Sequence, residues 1–256
     1  MSGVVAEFLT QFPPATLALI VVLSLVTSVL HGATGVAGGF LLAASLAPII
    51  GVKPLIPVMA VTLLISHSAR ALLNWKDIDR KAVTAICVTA LPLAAGTALI
   101  YGRMNAPLIA LVLGLVVISS IPARRWASAR KLKSGPKSLM GIGSVYGALS
   151  GIAVGPGMLL IPFMLGTGMD RRAFVASLAA IAMGTNTMRI GVFGMDGLFD
   201  PTLVTLGVLC GIVSIPGNYF GRSVLRAISN ERHAIVVDWL TVLGAVNFFW
   251  LAWRAW

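Results

Sequence analysis

Two apolar stretches, TLLISHSARALLN (residues 62–74) and IAMGTNTMRIGVFG (residues 181–194), carry the same stripe of polar side chains. The corresponding residues lie 119 positions apart: Ser66, His67 and Arg70 in the first stretch, and Thr185, Asn186 and Arg189 in the second. Residues three and four apart share one face of an α-helix, so each stripe is expected to line one side of its helix. The repetition predicts a duplicated protein with one polar site shared between its two halves.

The composition places these stretches in a lipid bilayer. Of the 256 residues, 58% are hydrophobic and 11% are charged, and the mean hydropathy is +0.96. Soluble domains carry about 25% charged residues. Apolar runs such as residues 15–30 and 82–100 approach the roughly 20 residues that a spanning helix needs, and they lack the alternation of β-barrel strands. The sequence therefore predicts an all-α polytopic membrane protein.

The apolar runs predict two repeats of about five helical segments each, with eight to ten spans. The ten segments cover, approximately, residues 15–31, 35–50, 54–74, 81–102, 106–121, 138–154, 156–168, 171–193, 201–224 and 234–254. The second and seventh segments are short and contain glycine and proline, which indicates broken or re-entrant helices. We assign residues 1–121 to the first repeat, 122–137 to a basic cytoplasmic loop, and 138–256 to the second repeat.

Charged residues between the apolar segments predict the orientation. Six of the 19 Lys and Arg residues lie within residues 124–137, and basic loops mark the cytoplasmic side, where acidic lipids are the expected partners. The loop 194–201 contains Asp196 and Asp200 without a basic residue, so it is placed outside. Since five segments per half is an odd number, the second repeat must be inverted. Topology thus accounts for the net charge of +11, and we expect no nucleic-acid partner.

A glycine cluster precedes each polar stripe. The clusters are Gly35, Gly38 and Gly39 in the first half and Gly151, Gly155 and Gly157 in the second. Glycines let helices pack closely in lipid. Alternatively, they interrupt a helix and expose backbone N–H groups and a positive helix end, which attract an anion. Pro156 favours an interruption, because proline cannot continue a helix interior.

The polar residues predict a binding site for a small anion. The candidate substrate-binding residues are Gly38, Gly39, Ser66, His67, Arg70, Gly155, Gly157, Thr185, Asn186 and Arg189. Arg70 and Arg189 lie toward segment ends, so they either extend to the headgroups or face the interior, where the planar guanidinium suits oxyanions. His67 is either a structural hydrogen-bonding residue or a proton carrier. We expect no cofactor, metal ion or catalytic residue.

These residues resemble those of the sulfite exporter TauE/SafE family. The first half matches in Gly35-x-x-Gly38-Gly39, Pro48, Gly51, Arg70 and Asp77-Ile-Asp79; the second matches in Gly151 to Gly157, Pro162, Gly168, Asn186, Arg189 and Asp196-Gly-Leu-Phe-Asp200. Ala37 and Pro156 stand where the family commonly has glycine. The resemblance implies a multi-pass inner-membrane permease for sulfite, sulfonates, thiosulfate-like compounds or related organic anions.

The leading interpretation is a secondary transporter that works by alternating access of two inverted repeats. A non-transporting membrane subunit or scaffold is the main alternative. A hydrolase using Ser66 or Ser177 with His67 is disfavoured, because Ser66 and His67 are neighbours and point about 100° apart on a helix. The glycines would equally serve contacts between chains, so a homo-oligomer stays open as a further alternative.

Overall fold

The computed structural model describes residues 2–34, 37–129, 133–225 and 230–255, and these residues form eleven α-helices and no β-strand. The helices are α1 (Ser2–Gln11), α2 (Pro14–Thr34), α3 (Ala37–Ile50), α4 (Leu55–Leu73), α5 (Arg80–Tyr101), α6 (Ala106–Ala129), α7 (Pro136–Ser150), α8 (Ile161–Leu165), α9 (Arg171–Met195), α10 (Pro201–Leu225) and α11 (Asn230–Ala255). Short 3-10 helices cover Trp75–Asp77 and Pro156–Leu160, and the second leads directly into α8. The predicted all-α fold is confirmed.

Six described helices are long and apolar enough to cross a membrane: α2, α4, α5, α6, α9 and α10. The segments Gly38–Ile50 and Pro156–Leu165 are shorter apolar helices. At 1.5 Å per residue, the 14 residues of α3 extend about 21 Å, which is less than the ~30 Å of the hydrocarbon core. The chain is therefore a multi-pass membrane protein, and its second and seventh segments are short, as the sequence predicted.

The structure corrects the start of the basic loop. α6 was expected to end at residue 121, but it continues through Pro122 to Ala129, so the first part of the loop predicted over 122–137 is helical. The extension continues the packing of α6 on α11, and Arg125 Nη2 lies 2.5 Å from Asp238 Oδ2. α1 was not predicted at all.

Several sequence-based assignments fall on residues outside the described part of the chain. These residues are 35–36, 130–132 and 226–229, and they include Gly35 of the first glycine cluster and part of the basic loop 122–137. The division of the chain into two repeats at this loop stays a prediction.

Helix pairs of the two halves pack in matching ways. α2 packs against α10 as α7 packs against α5, and α4 contacts α10 as α9 contacts α5. α3 contacts α11, while the Pro156–Leu165 segment contacts α6 in the same manner. Exchanging the first five helices after α1 with the last five therefore reproduces these pairs of contacting helices.

The two helices that carry the polar stripes run antiparallel. Near the end of α9, Arg189 Nη2 donates to the carbonyl of Ile56 at the start of α4, at 3.3 Å. Near the start of α9, Ser177 Oγ accepts from the N–H of Asp79, just beyond the end of α4, at 2.8 Å. Equivalent helices of the two halves therefore point in opposite directions. This is the geometry of inverted repeats.

Glycines permit the closest helix contacts. A Cβ added at Gly143 or Gly147 on α7, or at Gly151 directly after it, would collide with backbone atoms of α5. The backbone of Ala90 lies directly against Gly147, whereas Gly141 on the same helix is exposed and has no atom within 4 Å of the corresponding position. The packing interpretation therefore holds for Gly147.

Alanine at Gly147 and at Gly141 should change stability in opposite directions. Gly147→Ala is expected to destabilise by about 1–3 kcal/mol because the helices must separate. Gly141→Ala should stabilise by up to about 1 kcal/mol, since alanine favours helix. Thermal unfolding of the detergent-solubilised variants measures both, and a stabilising Gly147→Ala would contradict the close α5–α7 contact.

Candidate functional site

A cavity lies where the two repeats meet. It encloses about 530 Å³ of space not filled by atoms, part of it open to solvent. Both repeats contribute polar groups to its walls: His31, Gly39 and His67 from the first, and Tyr146, Ser150, Gly155, Gly157, Thr185, Asn186 and Arg189 from the second. No carboxylate is present among the described residues of the wall.

The interrupted helix of the second half and the described start of α3 meet at this cavity. α7 ends at Ser150, and after five residues a new helix starts at Pro156. Gly155 has φ +106°, a left-handed conformation that side chains disfavour, and a Cβ there would lie 3.3 Å from Cβ of Phe40 on α3. The first N–H groups of a helix lack intrahelical partners. The start of each short helix therefore faces the same space.

Arg189 is a buried cation in the cavity wall. Its side chain is only 3% exposed. Nη1 donates to Asn186 Oδ1 at 3.2 Å and Nη2 donates to the Ile56 carbonyl at 3.3 Å, while Nε has no partner among the described residues. Both partners are neutral, so the charge is not compensated by a carboxylate in this part of the structure. The cavity wall thus holds a positive charge, and the Nε–H group of Arg189 is available as a hydrogen-bond donor.

Arg70 occupies a different environment from its counterpart. It is 6% exposed, and its Nη1 donates to His31 Nε2 at 2.8 Å. Since Nε2 accepts, a neutral His31 carries its proton on Nδ1. Arg70 does not itself line the larger cavity, although His31 does, and the His31 and His67 rings lie 5.3 Å apart. Neither arginine extends to the headgroups, because both side chains are buried between helices.

The remaining stripe residues divide between contacting the cavity and supporting it. Asn186 Nδ2 donates to the carbonyl of Ala182 at 2.7 Å while its Oδ1 accepts from Arg189, so its amide holds the guanidinium in place. Thr185 Oγ1 lies 3.0 Å from the hydroxyl of Tyr146. His67 lines the cavity, and its Nδ1 is buried with no partner in the described structure.

Gly38 and Ser66 belong to a second, smaller cavity of about 220 Å³. Gly38 packs directly on the α2 backbone at Thr27. Ser66 Oγ accepts a hydrogen bond from Asn218 Nδ2 at 2.7 Å. Ser66 and His67 therefore line different cavities, as expected for neighbours on a helix.

Two polar wall residues were missed by the sequence analysis: Tyr146 and Ser150. Both are isolated polar side chains inside an apolar segment. That isolation is the signal that could have identified them.

A family model, sulfite exporter TauE/SafE, matches residues 20–248, which is nearly the whole chain and includes both glycine clusters and both polar stripes. No curated protein and no solved structure matches the chain significantly. The family comprises membrane transporters of sulfur-containing anions. The chain therefore belongs to the sulfite exporter TauE/SafE family.

Proposed function

We propose that this chain is a secondary transporter that moves a small oxyanion, such as sulfite, a sulfonate or a thiosulfate-like anion, across the inner membrane through the larger cavity. The observation that carries the proposal is the buried, carboxylate-free environment of Arg189. A charge inside a bilayer costs at least ~2.5 kcal/mol unless it is compensated. An anion in the cavity would supply that compensation, and the spare Nε–H would donate to it.

The other groups around the cavity suit the remaining oxygens of such an anion. Backbone N–H groups near Gly39 and Gly157 belong to the starts of the two short helices, where the helix dipole favours negative charge. His67 Nδ1 offers a further polar contact. Asn186 acts through Arg189 as a positioning residue, and Arg70 acts through His31. No metal or cofactor is needed for this recognition.

Movement of the anion would follow from rearrangement of one repeat against the other. Support comes from the matching packing of the two halves and from the unequal cavities beside the two stripes, about 530 Å³ and 220 Å³. Inverted repeats reach two access states by exchanging such arrangements around a fixed site. The basic loops favour a cytoplasmic position for the connection between α6 and α7.

Arg189→Gln should weaken anion binding. Sulfite, thiosulfate and methanesulfonate are titrated while the unfolding temperature of the solubilised protein is followed, because a ligand of the native state raises it. We expect at least one of them to stabilise the unsubstituted protein and the half-maximal concentration to rise at least tenfold in the variant. Arg189→Lys keeps the positive charge but loses the paired N–H donors of the guanidinium. Its half-maximal anion concentration should therefore lie between those of the unsubstituted protein and Arg189→Gln.

The matched control is Arg103→Gln, which removes an exposed arginine away from the cavity. It should leave the anion titration unchanged. Equal titrations for Arg189→Gln and Arg103→Gln would remove Arg189 from the site.

Gly155→Ala should weaken anion binding in addition to straining the backbone. Gly168 also has positive φ (+86°) but lies outside the cavity, with no atom within 4 Å of an added Cβ. Gly155→Ala and Gly168→Ala should each lose roughly 1–2 kcal/mol of stability. Only Gly155→Ala is expected to shift the anion titration, and an equal shift in both variants would argue against the helix start as part of the site.

A further inference from the structure

The smaller cavity is lined by oxygen-bearing side chains of three helices, α2, α4 and α10. They are Thr27, Ser28, Thr62, Ser66, Ser214 and Asn218. All six are at least nine-tenths buried. The start of α3 closes the cavity on one side, and no carboxylate is present among its described wall residues.

Most hydroxyl protons of this cluster are already used. Thr27, Ser28, Thr62 and Ser214 each donate to a carbonyl about one turn earlier in their own helix, at 2.7–3.0 Å. A hydroxyl has one proton and two lone pairs. These four oxygens therefore have lone pairs, and not protons, left for a ligand.

Asn218 adds an acceptor with a fixed direction. Its Nδ2 donates to Ser66 Oγ at 2.7 Å, and this bond sets the orientation of the amide. Its Oδ1 is buried and has no partner among the described residues, although the side chain is only 5% exposed. A buried acceptor without a donor is costly, so the cavity favours a ligand that donates a hydrogen bond or carries positive charge.

We propose that the smaller cavity binds a monovalent hard cation, Na⁺, and that this ion is coupled to movement of the anion. Oxygen ligands suit hard cations, whereas divalent ions are normally held by carboxylates, which this wall lacks. The described residues also contain no cluster of three His, Cys, Asp or Glu side chains that would hold another metal. Ion binding stands by itself, while the coupling rests on the proposed function.

The oxygen cluster, which joins α2 and α4 of the first half to α10 of the second, is not fully repeated at the positions related by the duplication. At the 119-residue spacing, Ser66 corresponds to Thr185, but Thr62 corresponds to Ile181. The fold therefore repeats the helices without repeating this set of acceptors. The smaller cavity is rich in hydrogen-bond acceptors, whereas the larger cavity contains the Nε–H donor of Arg189, which has no partner among the described residues.

The two cavities are adjacent, since both are lined by His31, Gly39 and Leu63. A cation in the smaller cavity adds positive charge near Arg70, which contacts His31. An anion in the larger cavity offsets that charge at short range in a medium of low dielectric. Each ion should therefore raise the affinity for the other, and the effect must be reciprocal.

The test follows the unfolding temperature of the solubilised full chain while NaCl replaces choline chloride at constant ionic strength. Sodium should raise the unfolding temperature saturably, and choline should not. With sulfite present, the half-maximal sodium concentration should fall at least threefold. Equal unfolding temperatures in sodium and choline, with and without sulfite, would overturn the proposal and indicate that the cavity holds water only.

Two nearly isosteric variants locate the ion. Thr62→Val and Ser214→Ala each remove one cavity oxygen and should raise the half-maximal sodium concentration at least tenfold. Thr187→Val is the matched control, because Thr187 makes the same own-helix hydrogen bond (2.9 Å to the carbonyl of Met183) but is exposed. Unchanged sodium titrations in both cavity variants would overturn the assignment to this cavity.

Sulfite titrated in choline buffer separates the two proposals. Stabilisation by sulfite without any sodium effect would overturn the cation site and leave the anion transporter standing. Stabilisation by sodium without any sulfite effect would support the cation site, overturn its coupling to the anion, and count against the proposed function.

Discussion

The buried charge of Arg189, whose described partners are neutral, is the constraint on which the arrangement of the central cavity depends. A guanidinium buried between α9 and the start of α4, with an amide and a carbonyl as its partners, stays favourable only where the surroundings lower the cost of its charge. The surroundings do so with neutral groups, Asn186 and the Ile56 carbonyl, so the charge remains available to a ligand. A carboxylate in the same position would have neutralised the site permanently.

The same centre explains why the helices break where they do. In lipid, each backbone N–H and C=O must find a partner, so irregular backbone is tolerated only where protein or a polar cavity surrounds it. The interruption before Pro156 satisfies this condition, because Gly155 faces the cavity and lies against Phe40 of the opposite short helix. Close glycine contacts such as that of Gly147 on Ala90 hold the surrounding helices in place.

Much of this arrangement could be predicted from the sequence, because the length of an apolar run and the polar residues within it can be read from neighbouring positions in the chain. The ten predicted segments correspond to α2 through α11, and most of the proposed site residues line one of the two cavities. The packing of one helix against another depends on residues that are distant in sequence. The contact of Arg70 with His31, the pairing of Thr185 with Tyr146 and the acceptor cluster around Asn218 each join helices distant in sequence. α6 extends past its apolar run to Ala129, and within this extension Arg125 pairs with Asp238 on α11, which is distant in sequence.

Inversion of the two repeats is tested most directly by labelling matching turns from one side of the membrane. Cysteine is introduced at Lys76, after α4, or at Met195, the end of α9, in a background carrying Cys87→Ala and Cys210→Ala. An impermeant maleimide applied to intact spheroplasts should label the cysteine at position 195, and should label that at position 76 only after the membrane is permeabilised. Labelling of both positions in intact spheroplasts would contradict the inverted arrangement on which the shared cavity depends.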